Sequence, residues 1–411
     1  MAREYKDLIV ALDIGSAKVM TLVGEVLPSG ELQLAGLGSA ASEGIKRGVV
    51  VNIEATIASI QHALKEAELT ADCKIGHVRI GISGEHIRGT NSTGVVAIRD
   101  REVTANDVEH VDDTAAAIRI PSDRSLLLIA PQEYAIDQQG YVREPPIGMS
   151  GIRLEANVHI ITGAHSAVQN LIRCVRRCGL AIDQIIPNPL ASSMAVLGAD
   201  ERELGVACVD IGAGTTDLAI FKGGAIRHTA VIPMAGQRMT EDIARVVQIP
   251  MQAAEDIKTA HGCAKTMLAG LNANIEVPSL QGSDARMLDR QTLASIIEAR
   301  VEDIFTLVQG EIRDSGLEAD LTGGVVLTGG AALMEGMAEL AEDIFLMRVR
   351  RGAPHYNCSL SEMVAQPYAA TAMGLMEDAR QERLHERSAP PRAAAAAAFW
   401  GRVRDFFVGN F

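Results

Sequence analysis

Aromatic side chains are scarce in this chain: its 411 residues include one Trp, five Tyr and seven Phe. Any local concentration of them is therefore informative. Basic residues are in deficit too, with 38 Lys and Arg against 52 Asp and Glu and a formal net charge of -14. That balance argues against broad nucleic-acid binding, because phosphate backbones are gripped by clustered Lys and Arg. Cysteines number six, at positions 73, 174, 178, 208, 263 and 358, with no CxxC pair and no matching His spacing. They read as reduced thiols. Cys174 and Cys178, four apart on an expected helix, would make half of a metal site for which no second half is visible. No stretch approaches the roughly 20 apolar residues of a membrane span, and the apolar run before Asp13 is too short for a signal peptide. The expectation is a cytoplasmic body, unless its far end attaches it elsewhere.

What is present is ordinary core material: 47% hydrophobic and 22% charged residues, over a length that suits two or more domains. An apolar, β-branched run over 7–12 stops at Asp13-Ile14-Gly15, and a second run follows at 19–26. This predicts a strand, a tight turn and a returning strand. A helix capped by Asn52 and a strand over 77–83 follow, and the alternation implies a layered α/β domain. Over 84–162 the texture changes to short strands, one helix near 104–118 and a turn-rich stretch, REPPIGMSG, which predicts an inserted α+β subdomain. The α/β rhythm then resumes with a helix over 164–179, the strand AIDQIIP, the helix PLASSMAVLG and the strand GVACVDIG. Residues 204–222 repeat the strand, Gly-turn and strand of 7–26. Two such hairpins imply duplicated halves facing one another across a cleft. A helix-rich segment covers 237–300, and the strand VVLTGG at 325–330 again ends in glycines.

The chemistry lies in those strand ends. Glycine lets the backbone turn so tightly that successive N–H groups point at an anion, and an Asp at the strand end can hold Mg²⁺ through its waters. In DIGSAK, Ser16 adds a hydroxyl donor and Lys18 a positive charge; in DIGAGTTD, Thr215 and Thr216 add hydroxyls. A single DIG is satisfied by an ordinary β-turn. Two in the same setting point to phosphate binding, and LTGGAALMEG at 327–336 adds a Gly pair against which a base or ribose can lie.

The order DIGSAK, PLASSMAVL, DIGAGTTD, LTGGAALMEG, PYAATAMGLM resembles the signature of the actin-like ATPase superfamily. The resemblance implies a bilobal fold of duplicated RNase H-like domains with ATP and Mg²⁺ between the lobes. It assigns Asp13, Gly15, Ser16 and Lys18 to the first phosphate loop, and Asp210, Gly212, Gly214, Thr215 and Thr216 to the second. Asp13 and Asp210 would hold Mg²⁺ through water, and Gly329 and Gly330 form the adenosine loop. Gly236 joins the nucleotide site, and Glu255 and Lys258 correspond to ribose and adenine contacts, although a solvated i,i+3 pair explains the latter two as well.

Over essentially its whole length the chain is similar to the FtsA family of bacterial cell-division proteins, through GIKRGVVVNIEATIASI, the 84–162 insertion, HGCA, RQTLASIIEAR and the final amphipathic segment. The resemblance implies subdomain 1A in 1–83, 163–203 and 365–378, the inserted subdomain 1C in 84–162, 2A in 204–236 and 301–364, and 2B in 237–300. It further implies polymerisation on the inner membrane, tethering of FtsZ through its C-terminal tail, and recruitment of later division proteins through 1C. Arg300 matches a position on the FtsZ-binding surface and Arg286 lies near the self-association region; a solvated helix charge accounts for either equally well.

The far end carries its own physics. Residues 379–398 form a charged, then Pro/Ala-rich linker, and 399–411 hold four of the seven Phe and the only Trp. On a helix, Phe399, Trp400, Val403, Phe406, Phe407 and Phe411 fall within roughly a 140° arc, with Arg402 opposite and Arg404 at its edge. Burying five aromatics yields a gross roughly 8–15 kcal/mol, enough for reversible attachment to an anionic lipid surface. A helix docked on the body is the alternative, though a dozen residues of slack favour a tether.

Catalysis is less well provided for. Superfamily enzymes often carry Glu or Gln around the segment PNPLASS, where this chain has Asn188 between two prolines. Asparagine can orient a water but cannot take its proton at neutral pH, so slow or undetectable turnover is expected. A small-molecule kinase of the same fold and an actin-like adaptor of a pilus machine are the alternatives; neither would be expected to carry the aromatic tail.

Overall fold

The computed structural model describes residues 7–137, 139–270, 274–278, 286–356 and 361–388; the aromatic tail and the second half of the expected linker lie outside the described residues, and the linker's first half, 379–388, is instead the end of a helix. The first lobe opens with β1 (Leu8–Ile14), β2 (Lys18–Val26) and β3 (Leu32–Ala41), followed by the small hairpin of β4 (Ile45–Lys46) and β5 (Val49–Val50), then α1 (Ile53–Ala71) and β6 (His77–Ile82). Asn52 caps α1 by accepting from the Ala55 N–H, satisfying a donor that the first turn leaves without an intrahelical partner. The insertion contains β7 (Arg88–Ala97), α2 (Ala105–Ala116), β8 (Arg124–Ile136), β9 (Gln139–Val142) and β10 (Arg153–Ala164). The strand β7 is longer than the sequence pattern predicts: β7, β10 and β8 form one antiparallel sheet with α2 packed on one face, and β7 leaves most of its other face exposed whereas β10 is buried on both. A half-exposed strand such as β7 carries polar residues that mask its length.

The first lobe resumes with α3 (His165–Arg177), β11 (Ala181–Pro187), α4 (Asn188–Val196) and α5 (Ala199–Leu204). The second lobe holds β12 (Val206–Ile211), β13 (Thr216–Lys222), β14 (Ala225–Ile232), α6 (Gly236–Val247), α7 (Met251–His261), β15 (Asn274–Val277), β16 (Arg286–Asp289), α8 (Arg290–Asp314), β17 (Val325–Thr328), α9 (Met337–Phe345) and β18 (Val349–Arg351). Then α10 (Ser361–Val364) and α11 (Ala370–Ser388) return to the first lobe. The helix-rich segment thus also contains a two-stranded hairpin, β15 with β16, and α8 runs well past residue 300. No helix among the described residues is long and apolar enough to cross a membrane.

The two large sheets share one plan. The first is ordered β11-β6-β1-β2-β3 and the second β14-β13-β12-β17-β18, each with an antiparallel hairpin beside parallel strands. Both faces of each sheet are covered, so β1 and β12 read as nearly unbroken apolar runs. Around α8, Phe305 meets Phe345 edge to face at 5.2 Å, anchoring the second core.

The insertion leans on both lobes. Arg124 donates to the carbonyls of His86 (2.9 Å) and Thr162 (3.0 Å), stapling the two chain crossings. On the other side Arg227 of β14 pairs with Glu133 at 2.7 Å, and Gln132 donates to the Ile226 carbonyl at 2.8 Å. His159 is buried in this seam, between Asn91 Oδ1 (2.6 Å) and Thr229 Oγ1 (2.9 Å). Burial, reinforced by His228, lowers its pKa to about 4. The unfolded ring takes up a proton near pH 6.5 and the folded one only near 4, so this contribution is complete above 6.5 and is lost as pH falls toward 4. The span is about 3 kcal/mol. Urea unfolding of wild type and His159→Gln at pH 7 and pH 5 checks it: the variant should lose less stability on acidification.

Candidate functional site

The two hairpins end in matching turns. In β1–β2 the Gly15 N–H donates to the Lys18 carbonyl at 3.0 Å, and in β12–β13 the Gly212 N–H donates to the Thr215 carbonyl at 3.0 Å. They face each other across a cleft of about 590 Å³ between the lobes. The loops come so close that a Cβ on Gly214 would meet the Ser16 side chain and, at 3.0 Å, Cα of Arg47. Ser16 Oγ in turn accepts from the Gly48 N–H at 3.1 Å.

Asp13 and Asp210 close the strand ends at the floor. Burial raises Asp13 to about 7, with the Lys18 charge pulling it down and Asp210 pushing it up. Asp210 is raised to about 6, again chiefly by burial, which hydrogen bonds from Ser192 and Thr371 and the Lys18 charge partly offset. Thr371 of α11 donates to Asp210 at 3.2 Å, tying the lobes together. Lys18 is lowered to about 8 by burial against the pull of both carboxyls.

The far wall is built by α6 and α7. Lys258 Nζ donates to the Gly236 carbonyl (3.1 Å) and Thr240 Oγ1 (2.9 Å) and pairs with Glu255 at 2.7 Å; Thr240 also bonds Glu255. This is a connected network lining the cleft rather than a solvated pair. Gly329 has φ of 86°, and a Cβ there would strike Asp210 and the Ile211 backbone, so glycine is required at this turn. Gly330 lines the cleft beside it.

Thirteen of the fourteen residues assigned to the nucleotide from sequence line this one cleft, and Asn188 does so as well. The exception is Thr216, whose buried hydroxyl turns away and donates to the Met234 carbonyl at 2.8 Å. Asn188 begins α4, and its Oδ1 is buried with no hydrogen-bond partner among the described residues. Arg300 lies on α8, its guanidinium held by Asp242 (2.6 Å) and Asp303 (3.0 Å), while Arg286 is exposed at the start of β16. Residues 399–411, with the proposed lipid-facing side chains, lie outside the described residues.

Sequence reasoning missed three cleft side chains, and a fourth, Thr240, buried behind the wall they share. Asp217 and Tyr368 stand inside motifs already singled out, DIGAGTTD and PYAAT, as does Thr371. Asp217 is buried and pushed well above the usual carboxyl range, first by burial and then by Asp210; Ser83 donates to it at 2.5 Å across the lobes. Thr240 carries no local signal at all.

Two topologically matched lobes enclosing a cleft between paired Gly-Asp turns define an actin-like protein. Among solved structures the fold matches the PilM–PilN type IV pilus biogenesis complex (TM-score 0.63, 17% identity, 90% of this chain and 98% of that one). It also matches MreB5 of Spiroplasma citri bound to ADP (TM-score 0.57, 14% identity, 93% and 99%). Family models described as "Cell division protein FtsA" and "SHS2 domain inserted in FTSA" match residues 207–374 and 84–162. The cell division protein FtsA of Pseudomonas aeruginosa is 53% identical over 90% of this chain and 88% of its own, and that of Escherichia coli is 44% identical over 96% of each. The chain belongs to the FtsA family of cell-division proteins.

Proposed function

We propose that the cleft binds ATP with Mg²⁺, and that the nucleotide sets when the protein polymerises on the inner face of the cytoplasmic membrane and holds FtsZ there. The observation that carries this reading is the pair of matched turns facing each other across one cleft. The residues fit the groups. Gly214 and Gly329 leave a backbone cradle that a Cβ would fill, and two buried carboxyls, Asp13 and Asp210, converge with one ammonium nearby. Asp13 and Asp210 would hold the cation through water, and Mg²⁺ would neutralise charge on the phosphates. Lys18 and the two turns would hold the phosphate oxygens; Glu255 and Lys258 would orient the ribose and base. Asn188 would position a water without taking its proton, so ATP acts as a conformational ligand, favouring the closed lobes by differential affinity.

Attachment would come from 399–411 binding anionic lipid. Liposome flotation with Mg·ATP tests it: the full chain should float, and the chain ending at residue 398 should not. Flotation by neither protein, or by both, would sink the tether. Later division proteins would meet the inserted subdomain, and Arg286, exposed beside the α8 entry, would serve self-association.

The FtsZ C-terminal tail would bind around α8. Arg300 already pairs with Asp242 and Asp303, so it would present a fixed guanidinium edge rather than a mobile charge. Arg300→Glu should weaken FtsZ-tail binding by tenfold or more, about 1.4 kcal/mol, because it reverses one charge and sets carboxylates together. Arg300→Gln should lose less. Unchanged affinity in fluorescence anisotropy with the Glu variant would remove Arg300 from the site.

A further inference from the structure

Tyr368 is the one aromatic side chain among the described residues lining the cleft. Its ring lies directly beneath the first phosphate loop's lysine, with Lys18 Nζ 3.6 Å from the ring centroid. This placement is unexpected on charge alone. Asp13 and Asp210 both act electrostatically on Lys18, yet among the described residues the ammonium forms an ion pair with neither and rests on the ring.

The ring is fixed from behind. Pro367, its neighbour, accepts from the Gly329 N–H at 3.2 Å and from Thr328 Oγ1 at 3.2 Å, so the Tyr368 backbone is tied to the adenosine loop of the second lobe. Lys18 hangs from β2 in the first lobe. Tyr368 itself packs on the first-lobe core where the chain returns to it, so ring and ammonium share that lobe while the Pro367 carbonyl ties the ring to the second.

A π-face suits a cation that must later be handed over. Cation–π attraction is worth about 0.5–2 kcal/mol, enough to choose one position for a flexible chain. A charge-assisted bond to phosphate is roughly twice as strong as a neutral hydrogen bond and displaces it. A carboxylate partner would bind the ammonium more firmly and would itself be neutralised.

We propose that Tyr368 is a positioning residue for nucleotide binding: its ring seats the Lys18 ammonium clear of Asp13 and Asp210, poised for the β- and γ-phosphates of a nucleoside triphosphate. The proposal rests on the nucleotide reading above. Without the ring the ammonium falls onto the two carboxyls, and the cleft loses a phosphate ligand and part of its cation site together.

Calorimetric titration of the full chain with ATP and with AMP, both with Mg²⁺, tests this. Tyr368→Leu removes the π-face and Tyr368→Phe keeps it. The Leu variant should bind ATP about 5- to 30-fold more weakly with AMP affinity within about twofold, since AMP lacks the phosphates that Lys18 serves. The Phe variant should match wild type for both. Equal losses for ATP and AMP would assign Tyr368 a merely structural role, and unchanged ATP affinity in the Leu variant, or loss in the Phe variant, would overturn the proposal. Failure of wild type to bind ATP would instead overturn the nucleotide reading, and this inference with it.

Discussion

Asp210→Asn should leave the fold at least as stable as wild type while weakening Mg·ATP binding by roughly 100-fold or more. Asp210 is buried, and its carboxyl is raised to about 6 mainly by that burial. Its charge in turn pushes both Asp13 and Asp217 up. A buried charge facing like charges destabilises the fold unless a cation or hydrogen bonds compensate. Asparagine keeps the shape and the Thr371 hydrogen bond, and it removes the charge. What stabilises the bound state thus destabilises the free one, a trade common at functional sites. Thermal melts with and without Mg·ATP read both halves, because a ligand that binds only the folded state stabilises it by RT ln(1 + L/Kd), with L the free ligand concentration, and so raises Tm. Wild type should show a ligand-dependent rise and Asp210→Asn should not. A full rise in the variant would exclude Asp210 from the cation site.

Gly374→Ala should be among the most damaging single methyl additions in the chain. Gly374 lies where α11 crosses α4, and a Cβ there would run into the backbone of Ala191, carbonyl oxygen and carbon alike. No side chain can swing aside, so the helices themselves must separate. Overpacking of this kind costs about 1–3 kcal/mol and sometimes more, a fall in Tm of roughly 2–12 °C for a domain of this size. The damage should reach the cleft, since α4 begins at Asn188 and α11 carries Thr371 onto Asp210. Nucleotide affinity should therefore fall with stability. A melt within 1 °C of wild type would show that α4 and α11 slide apart freely, on the order of 0.5 kcal/mol or less.

Much of this was legible in one dimension. The apolar runs ending in Asp-x-Gly mark β1 and β12 because strands buried on both faces leave no polar alternation and glycine must follow where the chain reverses. The repeat of that pattern disclosed the duplication. The length of β7 was not legible, since that strand exposes most of one face and its polar residues resemble a loop. The direction of a hydroxyl was not legible either: Thr215 and Thr216 are adjacent, and strand alternation sends one to the cleft and the other to the Met234 carbonyl.

The sequence by itself determined the strand-end turns, the scarcity of aromatics and their collection in 399–411, and the family. These are local or compositional properties, set by the conformations glycine permits and by which residues prefer water. Only the tertiary structure decided that Ser83 reaches Asp217, that Lys258 joins Thr240, and that Tyr368 holds Lys18. Each of these pairs joins separate elements, one of them, Ser83 with Asp217, across the lobes, and contacts between packed elements depend on how those elements pack, which no local pattern encodes.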